Sequence, residues 1–236
     1  MMNACIDHLV VVASDLASGA DWCRQVLGVE PAAGGEHGLM GTHNRLVDVS
    51  SPAHPRAYLE IIAVNPAARP TLPSGHRRWF DMDDTRLQAQ VAQQGPQLVH
   101  WVASVPDIAA ATQTLSALEL ERGTPVAASR ATPRGLLQWQ ISLRADGQRL
   151  MDGCLPTLIQ WGDQHPCEGL PASGLQLQSL ELSHPGAARL RQAGQALELA
   201  TMQAATQGGA CLRASLSTPR GALSLCSPQG SYRTTA

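Results

Sequence analysis

The chain is poor in aromatic residues, which make up 3% of its 236 residues, and its formal net charge is only −2. Proteins that bind nucleic acid present clustered basic side chains, and those that hold single strands also present aromatic stacking platforms. This composition supplies neither feature. We therefore expect no nucleic-acid partner.

Long hydrophobic runs are also missing, since no run reaches the roughly 18 apolar residues that a membrane-spanning helix needs. Residues 1–5 carry neither the basic stretch nor the apolar core of a secretory signal. We therefore expect no membrane association, and the cytoplasm is the expected compartment.

The short motifs of several enzyme classes are absent. The chain contains no GxGxxG, Walker A, HExxH or GxSxG sequence, so nucleotide binding, zincin-type proteolysis and serine hydrolysis have no support. Its six cysteines form no CxxC pair and no zinc-ribbon spacing. The patterns around Cys5 and Cys23 predict buried free thiols in a reducing compartment.

What the sequence does contain is an internal repeat. Residues 6–16 and 98–108 share one layout, in which a histidine opens an apolar run and an acidic residue lies seven positions later. A helical pattern rich in alanine follows each copy. Because internal repeats mark duplicated structural units, we expect His8 and His100 at equivalent positions of two similar units.

Alternating polarity and turn signals extend each copy into a strand, a helix and three further strands. A weaker third copy follows, because Thr-Pro-Arg-Gly precedes a strand at both 132–135 and 218–221, although Ser179 stands where the others have histidine. The predicted fold is α+β, with paired β-α-β-β-β modules that form a cup-shaped sheet and a third, degenerate C-terminal module. The predicted organisation is a first module at 1–64, a linker with a helix at 65–96, a second module at 97–162, the degenerate module at 172–227 and a tail at 228–236.

Local motifs of the first unit resemble one known family. Together with the paired units, they resemble the glyoxalase-like domain family of the vicinal oxygen chelate superfamily, which includes glyoxalase I, extradiol dioxygenases and bleomycin-resistance proteins. That superfamily hosts isomerases, dioxygenases and plain binders on one scaffold, so the resemblance is specific for the fold and weak for the reaction. The motifs are Asp7-His8, His37, Gly41-Thr42-His43-Asn44 and Tyr58-Leu59-Glu60.

The resemblance implies a cup into which the first and last strands of both units direct His8, Glu60, His100 and Gln160. Two imidazoles and a carboxylate with open positions suit a divalent Ni, Co, Mn, Fe or Zn ion, which would polarise a substrate carbonyl. Glu60 would be both a ligand and the catalytic proton acceptor. A polar cup without any metal is the equally supported alternative. Gln160 stands where the metal enzymes often carry Glu, which disfavours a dioxygenase.

Candidate substrate-binding residues lie near the glycine-rich segment and in a turn. His37 belongs to a rim that can close on a ligand. His43 and Asn44 are neighbours on a strand, so only one of them can enter the cup. Arg134 can clamp an acidic substrate, although turn chemistry explains its Pro and Gly neighbours without a ligand.

Three functions follow from these residues and from the resemblance. The favoured one is a small-molecule enzyme with lyase- or isomerase-type chemistry at or next to a carbonyl. The rival is a metal-free protein that binds or sequesters a small molecule, and an extradiol-type dioxygenase is the third. The expected partners are a small-molecule substrate and, as a possible homodimer, a second copy of the chain.

Overall fold

The computed structural model describes residues 2–199, 202–206 and 209–228, so the tail predicted at 228–236 lies outside the described residues from 229 onward. Each of the two units contains a strand, a helix and three further strands, as the repeat predicts. The helices are α1 (Leu16–Trp22), α2 (Thr85–Gln94), α3 (Ile108–Ser116) and α4 (Ala187–Ala196). The strands are β1 (Cys5–Val12), β2 (Ala32–His37), β3 (Thr42–Asp48), β4 (Tyr58–Val64), β5 (Gln97–Ser104), β6 (Thr124–Thr132), β7 (Gly135–Leu143), β8 (Thr157–Trp161), β9 (Gln176–Ser183), β10 (Gln203–Ala205), β11 (Cys211–Thr218) and β12 (Gly221–Cys226).

Eight strands form one curled sheet in the order β2-β3-β4-β1-β5-β8-β7-β6. At its centre β1 and β5 run antiparallel, while β1 is parallel to β4 and β5 is parallel to β8. Each half of the sheet therefore repeats one pattern, in which the first strand of a unit pairs with its fourth. The predicted α+β fold of paired β-α-β-β-β modules is confirmed.

The first helix of each unit begins at an aspartate. The Asp15 side chain accepts the backbone amide of Ser18 at 2.8 Å, and Ser18 completes a capping box. Asp107 caps α3 in the same way. The chain after α1 continues as a π-helical turn and ends at Gly28, whose φ of 76° favours glycine. Within the described residues, no helix combines the length and the apolar character needed to cross a membrane.

The two faces of the sheet pack against different sets of side chains. On the convex face, side chains such as Leu9, Val11 and Trp101 pack with apolar residues of α3 and of the C-terminal module. On the concave face, Val10 and Val12 pack with apolar and aromatic residues of the second unit and of the linker. Because successive side chains of a strand alternate between faces, His8 shares the concave side with Val10 and Val12.

The C-terminal module keeps the element order but not the pairing of the other two. Its four strands follow the order β10-β9-β11-β12, with β9 parallel to β10 and antiparallel to β11. The two Thr-Pro-Arg-Gly turns are nevertheless built alike. In each, the threonine hydroxyl, of Thr132 or Thr218, donates to the glycine carbonyl three residues on, at 2.8 and 2.9 Å. The likeness to the paired modules is therefore local.

All six cysteines are free thiols. Cys23 and Cys154 are fully buried, and burial raises the pKa of each thiol to about 12. Cys5 is exposed, so the expectation that it is buried is wrong. It is the first residue of β1, and burial of the strand begins at the following residue.

Candidate functional site

Asp7 and His8 are neighbours in β1, and their side chains meet inside the protein. Asp7 Oδ1 lies 2.6 Å from His8 Nδ1, and Oδ2 accepts hydrogen bonds from Trp161 Nε1 at 2.8 Å and His165 Nε2 at 3.2 Å. Burial alone would raise the pKa of Asp7, but the hydrogen bonds from His165 and His8 hold it below its ordinary value. Asp7 is therefore a carboxylate at neutral pH. It keeps the His8 proton on Nδ1, because the hydrogen bond at one ring nitrogen sets the tautomer.

Glu60 lies on the neighbouring strand β4, where it pairs with Val10, and its side chain lies close to that of His8. It is only 5% exposed, and a buried carboxylate needs partners. Its Oε1 accepts a hydrogen bond from Asn44 Nδ2 at 2.6 Å, and its Oε2 lies 3.6 Å from His8 Nε2. His8 and Glu60 both line one cavity.

Asn44 and His37 complete the polar side of this cavity. Asn44 Oδ1 accepts the Gly35 amide at 2.8 Å, which directs its Nδ2 towards Glu60 and towards His37 Nε2, 3.4 Å away. His37 Nδ1 in turn lies 3.0 Å from the Thr42 hydroxyl. Burial lowers the pKa of His37 to about 4, so this imidazole is neutral at pH 7.

These groups line a cavity of about 30 Å³ that is open to solvent on one side. Its walls are largely aromatic, and Tyr58 stacks on the His8 imidazole with ring centroids 4.6 Å apart. The indole N–H of Trp79 is buried and has no hydrogen-bond partner among the described residues. The cavity is also lined by Arg130, Trp139 and Trp161.

The equivalent place in the second unit is built differently. Strand pairing sets Val10 beside Glu60 in the first unit and Val102 beside Thr157 in the second. Thr157, and not Gln160, is therefore the counterpart of Glu60, and the predicted overlay of the last strands is wrong by three residues. Because an odd shift along a strand turns a side chain to the other face, Gln160 leaves the cup.

His100 and Gln160 both serve the structure of the second unit. His100 Nδ1 lies 3.0 Å from the Gly153 carbonyl and its Nε2 lies 3.0 Å from the Thr157 hydroxyl, so both ring nitrogens are engaged. Burial, with the nearby Arg122 cation, holds the pKa of His100 well below its ordinary value. The Gln160 side chain accepts the Ile108 amide at 2.9 Å and so caps the start of α3.

The predicted metal set of His8, Glu60, His100 and Gln160 does not assemble. His8 and Glu60 are adjacent, but His100 is committed within the second unit and Gln160 lies on the convex face. Across residues 2–199, 202–206 and 209–228, no three His, Cys, Asp or Glu side chains are arranged to hold a metal ion. The predicted donors therefore do not fit a divalent ion, and the chemistry proposed below uses side chains alone.

The predicted substrate-binding residues divide into two groups. His37 and Asn44 line the cavity. His43 points to the other face of β3, where its Nε2 is buried without a partner among the described residues. Arg134 lies in the exposed β6–β7 turn, where it donates to the Glu168 carbonyl and lies 3.9 Å from the Glu168 carboxylate. Asn44 is thus the member of the His43-Asn44 pair that enters the cup.

Three residues of the site had no role in the sequence interpretation. His165 and Trp161 both donate to Asp7, but they lie more than 150 positions from it and carry no local motif. The third residue is Arg130, whose place at the cup is seen only in the structure. Alternate residues of β6 are partly buried, and this pattern places Arg130 on the same face as Ala128, against the cup.

The fold and the cavity define a class, namely proteins whose two β-α-β-β-β units share a curled sheet around a polar cup. Within that class, the chain matches the family described as "Glyoxalase-like domain" over residues 6–198. The chain belongs to the glyoxalase-like domain family, as the sequence motifs predict. No curated protein matches it.

Several solved structures are similar to this chain, and the first described here supports the fold. A hypothetical protein from Staphylococcus aureus is 16% identical, with a TM-score of 0.53 over 82% of this chain and 75% of that chain. Methylmalonyl-CoA epimerase from Mycobacterium tuberculosis is 13% identical, with a TM-score of 0.38 over 66% of this chain and 85% of that chain. A mutant of 4-hydroxymandelate synthase from Streptomyces coelicolor is 12% identical, with a TM-score of 0.41 over 96% of this chain and 63% of that chain.

Proposed function

We propose that this protein is a glyoxalase-like enzyme that moves a proton at a carbon atom next to the carbonyl group of a small molecule. This is lyase- or isomerase-type chemistry. The observation that carries the proposal is the pair formed by Glu60 and His8, whose Oε2 and Nε2 atoms lie 3.6 Å apart at the cavity. Asp7 supports this pair from behind, at 2.6 Å from His8 Nδ1.

Each residue has a defined part in the proposed transfer. The Glu60 carboxylate, held by Asn44, accepts the proton from the carbon atom. His8 Nε2 then takes the proton from Glu60, and the Asp7 carboxylate stabilises the resulting imidazolium. The charge left on the carbonyl oxygen needs a donor, which the unpaired Trp79 indole N–H supplies from the cavity wall. Return of the proton to carbon completes the turnover.

The test is solvent hydrogen exchange followed by NMR in deuterium oxide. The probes are pyruvate, 2-oxobutyrate, their methyl esters and hydroxyacetone, each of which has hydrogens next to a carbonyl. We expect the wild-type protein to accelerate exchange for at least one probe. Glu60→Gln keeps the shape of the side chain and removes the base, so exchange should fall by about 10²- to 10⁴-fold.

Glu36→Gln is the matched control, because Glu36 is an exposed carboxylate on β2 that does not line the cavity. It should exchange the probes at the wild-type rate. A wild-type protein that accelerates exchange of no probe would overturn the proposal. In that case a protein that binds or sequesters a small molecule becomes the favoured function, and the cavity with its aromatic side chains supports that alternative.

A further inference from the structure

Arg130 joins the two open edges of the sheet above the cavity. It lies on β6, which is one edge strand, and the other edge strand is β2. The Arg130 guanidinium reaches Gly35 of β2 and lines the same cavity as His8 and Glu60. Burial is the main cause of the low pKa of His37, and the nearby Arg130 cation lowers that pKa further. The charge of Arg130 therefore acts inside the proposed site.

Glycine at position 35 makes this approach possible. A Cβ atom on Gly35 would overlap the Arg130 side chain, and a Cβ atom on Gly34 would overlap Asn44. The pairing of β2 with β3 is irregular at these glycines. The same stretch therefore contacts two site residues, Arg130 and Asn44. The Gly35 amide donates a hydrogen bond to Asn44 at 2.8 Å. The glycines of this stretch leave room for a guanidinium at the mouth of the cavity.

Arg130 has no anionic partner among the described residues, unlike three of the other partly buried arginines. Arg78, Arg144 and Arg149 each form an ion pair with an aspartate at 2.6 to 3.0 Å. The backbone of Arg130 pairs with β7, but no hydrogen bond or ion pair joins its guanidinium to another residue in the described part of the chain. The Trp79 indole N–H on the same cavity is buried and also without a partner there. The cavity therefore presents two donors that no described acceptor uses.

We propose that Arg130 binds a carboxylate of the substrate, which makes the substrate class small carbonyl compounds that carry a carboxylate, such as 2-oxo acids. A guanidinium binds a carboxylate through two parallel hydrogen bonds. Glu60 is the one carboxylate among the described residues that line the cavity, and it contacts Asn44 and His8 instead. With the carboxylate on Arg130, the carbonyl and its neighbouring carbon lie towards Trp79 and Glu60. This assignment rests on the proposed function, because it names the substrate of that site.

The test measures binding rather than turnover. Titration calorimetry compares pyruvate and 2-oxobutyrate with their neutral methyl esters on the wild-type protein and on Arg130→Gln, Arg130→Lys and Arg134→Gln. Arg134 is the matched control, because it lies on the same hairpin and outside the cavity. The wild type should bind at least one acid about 10- to 100-fold more tightly than its ester. Arg130→Gln should abolish this preference, Arg130→Lys should keep part of it, and Arg134→Gln should keep all of it.

Several results would overturn the assignment. It fails if the wild-type protein binds no acid more tightly than the matching ester, a comparison that needs no variant to fold. It also fails if Arg130→Gln, folded by circular dichroism, keeps the preference. The proposed function fails separately. If binding of an acid depends on Arg130 but no probe exchanges hydrogen, the carboxylate site is supported and the proposed enzyme activity is contradicted. If probes exchange hydrogen but acids bind no more tightly than esters, the enzyme activity is supported and the carboxylate site is contradicted.

Discussion

The two halves of the sheet share a backbone plan and differ in chemistry. In the first half, His8 meets a carboxylate, Glu60, beside a cavity. In the second half, His100 meets a hydroxyl, Thr157, and has no exposed surface. The paired strands hold both histidines in the same register. Duplication of the fold has therefore not duplicated the site, and the residue opposite each histidine accounts for much of the difference.

Buried charge also separates the halves. In the first, the Asp7 carboxylate has three donors, and Glu60 has Asn44. In the second, Arg122 is 3% exposed and donates to Thr157, while its Nε and Nη1 atoms have no partner among the described residues. Burial lowers the pKa of Arg122 to about 9. The buried carboxylates of the first half have side-chain donors as partners, whereas the Arg122 guanidinium of the second half is only partly hydrogen-bonded and has no anionic partner among the described residues, and this contrast is open to test.

The largest effect is expected from Asp7→Asn, which removes the carboxylate behind His8. An amide cannot accept from three donors as a carboxylate does, and it no longer stabilises a His8 imidazolium. Probe exchange should fall by about 10²- to 10⁴-fold, and the free energy of unfolding by about 1–3 kcal/mol. NMR exchange and urea unfolding measure the two effects. Exchange at the wild-type rate would break the claim that the first half depends on a buried Asp7–His8 pair.

The second prediction concerns Arg122 in the other half. Arg122→Met keeps much of the side-chain volume and removes a buried cation that has no anionic partner. Because replacing buried ionic groups by apolar ones is often stabilising by 1–4 kcal/mol, we expect the free energy of unfolding to rise by about that amount. Probe exchange should stay at the wild-type rate. A marked loss of exchange would show that the second half takes part in the chemistry.

A third prediction uses pH. The pKa of His37 is about 4 in the folded protein, whereas histidine in an unfolded chain has a pKa near 6.5. Between these values the unfolded chain binds a proton that the folded chain does not, so stability should fall as pH is lowered from about 6.5 to 4. Urea unfolding at several pH values should show a shallower fall for His37→Gln. The exposed His76→Gln serves as the control, and an unchanged slope in His37→Gln would contradict the prediction.

The smallest effect is expected from Gln160→Leu, which removes the side chain that accepts the Ile108 amide at the start of α3. Loss of a helix cap costs about 1 kcal/mol, so the thermal midpoint should fall modestly while probe exchange stays unchanged. Calorimetry and NMR measure the two quantities. A large loss of exchange would show that Gln160 takes part in the site. It would contradict the difference drawn here between β4 and β8.

Periodicity predicted the fold well, because both units carry strong local signals. The repeat around His8 and His100, with an aspartate seven residues later, predicted the two central strands and the helix that follows each of them. The same symmetry misled the assignment of the site. A repeat shows that two positions are equivalent in the backbone, but it does not show what each side chain contacts. Matching the last strands by residue type instead of by pairing register placed Gln160 opposite Glu60.

The rest of the site depends on contacts between distant parts of the chain. His165 and Trp161 reach Asp7 only because the second unit curls back over the first. Arg130 reaches Gly35 only because the two edge strands of the sheet meet. No local pattern contains these contacts, since they depend on how the sheet closes. Burial and tautomer assignments, such as those of His100, likewise follow from packing that a single sequence does not display.

The central claim is that proton transfer belongs to the first half of the sheet alone. The most direct test compares probe exchange, per folded molecule, in the wild-type protein, His8→Gln and His100→Gln. The account predicts that His8→Gln loses about 10²-fold or more, whereas folded His100→Gln retains the wild-type rate. Equal losses in the two variants, or a loss confined to His100→Gln, would contradict it.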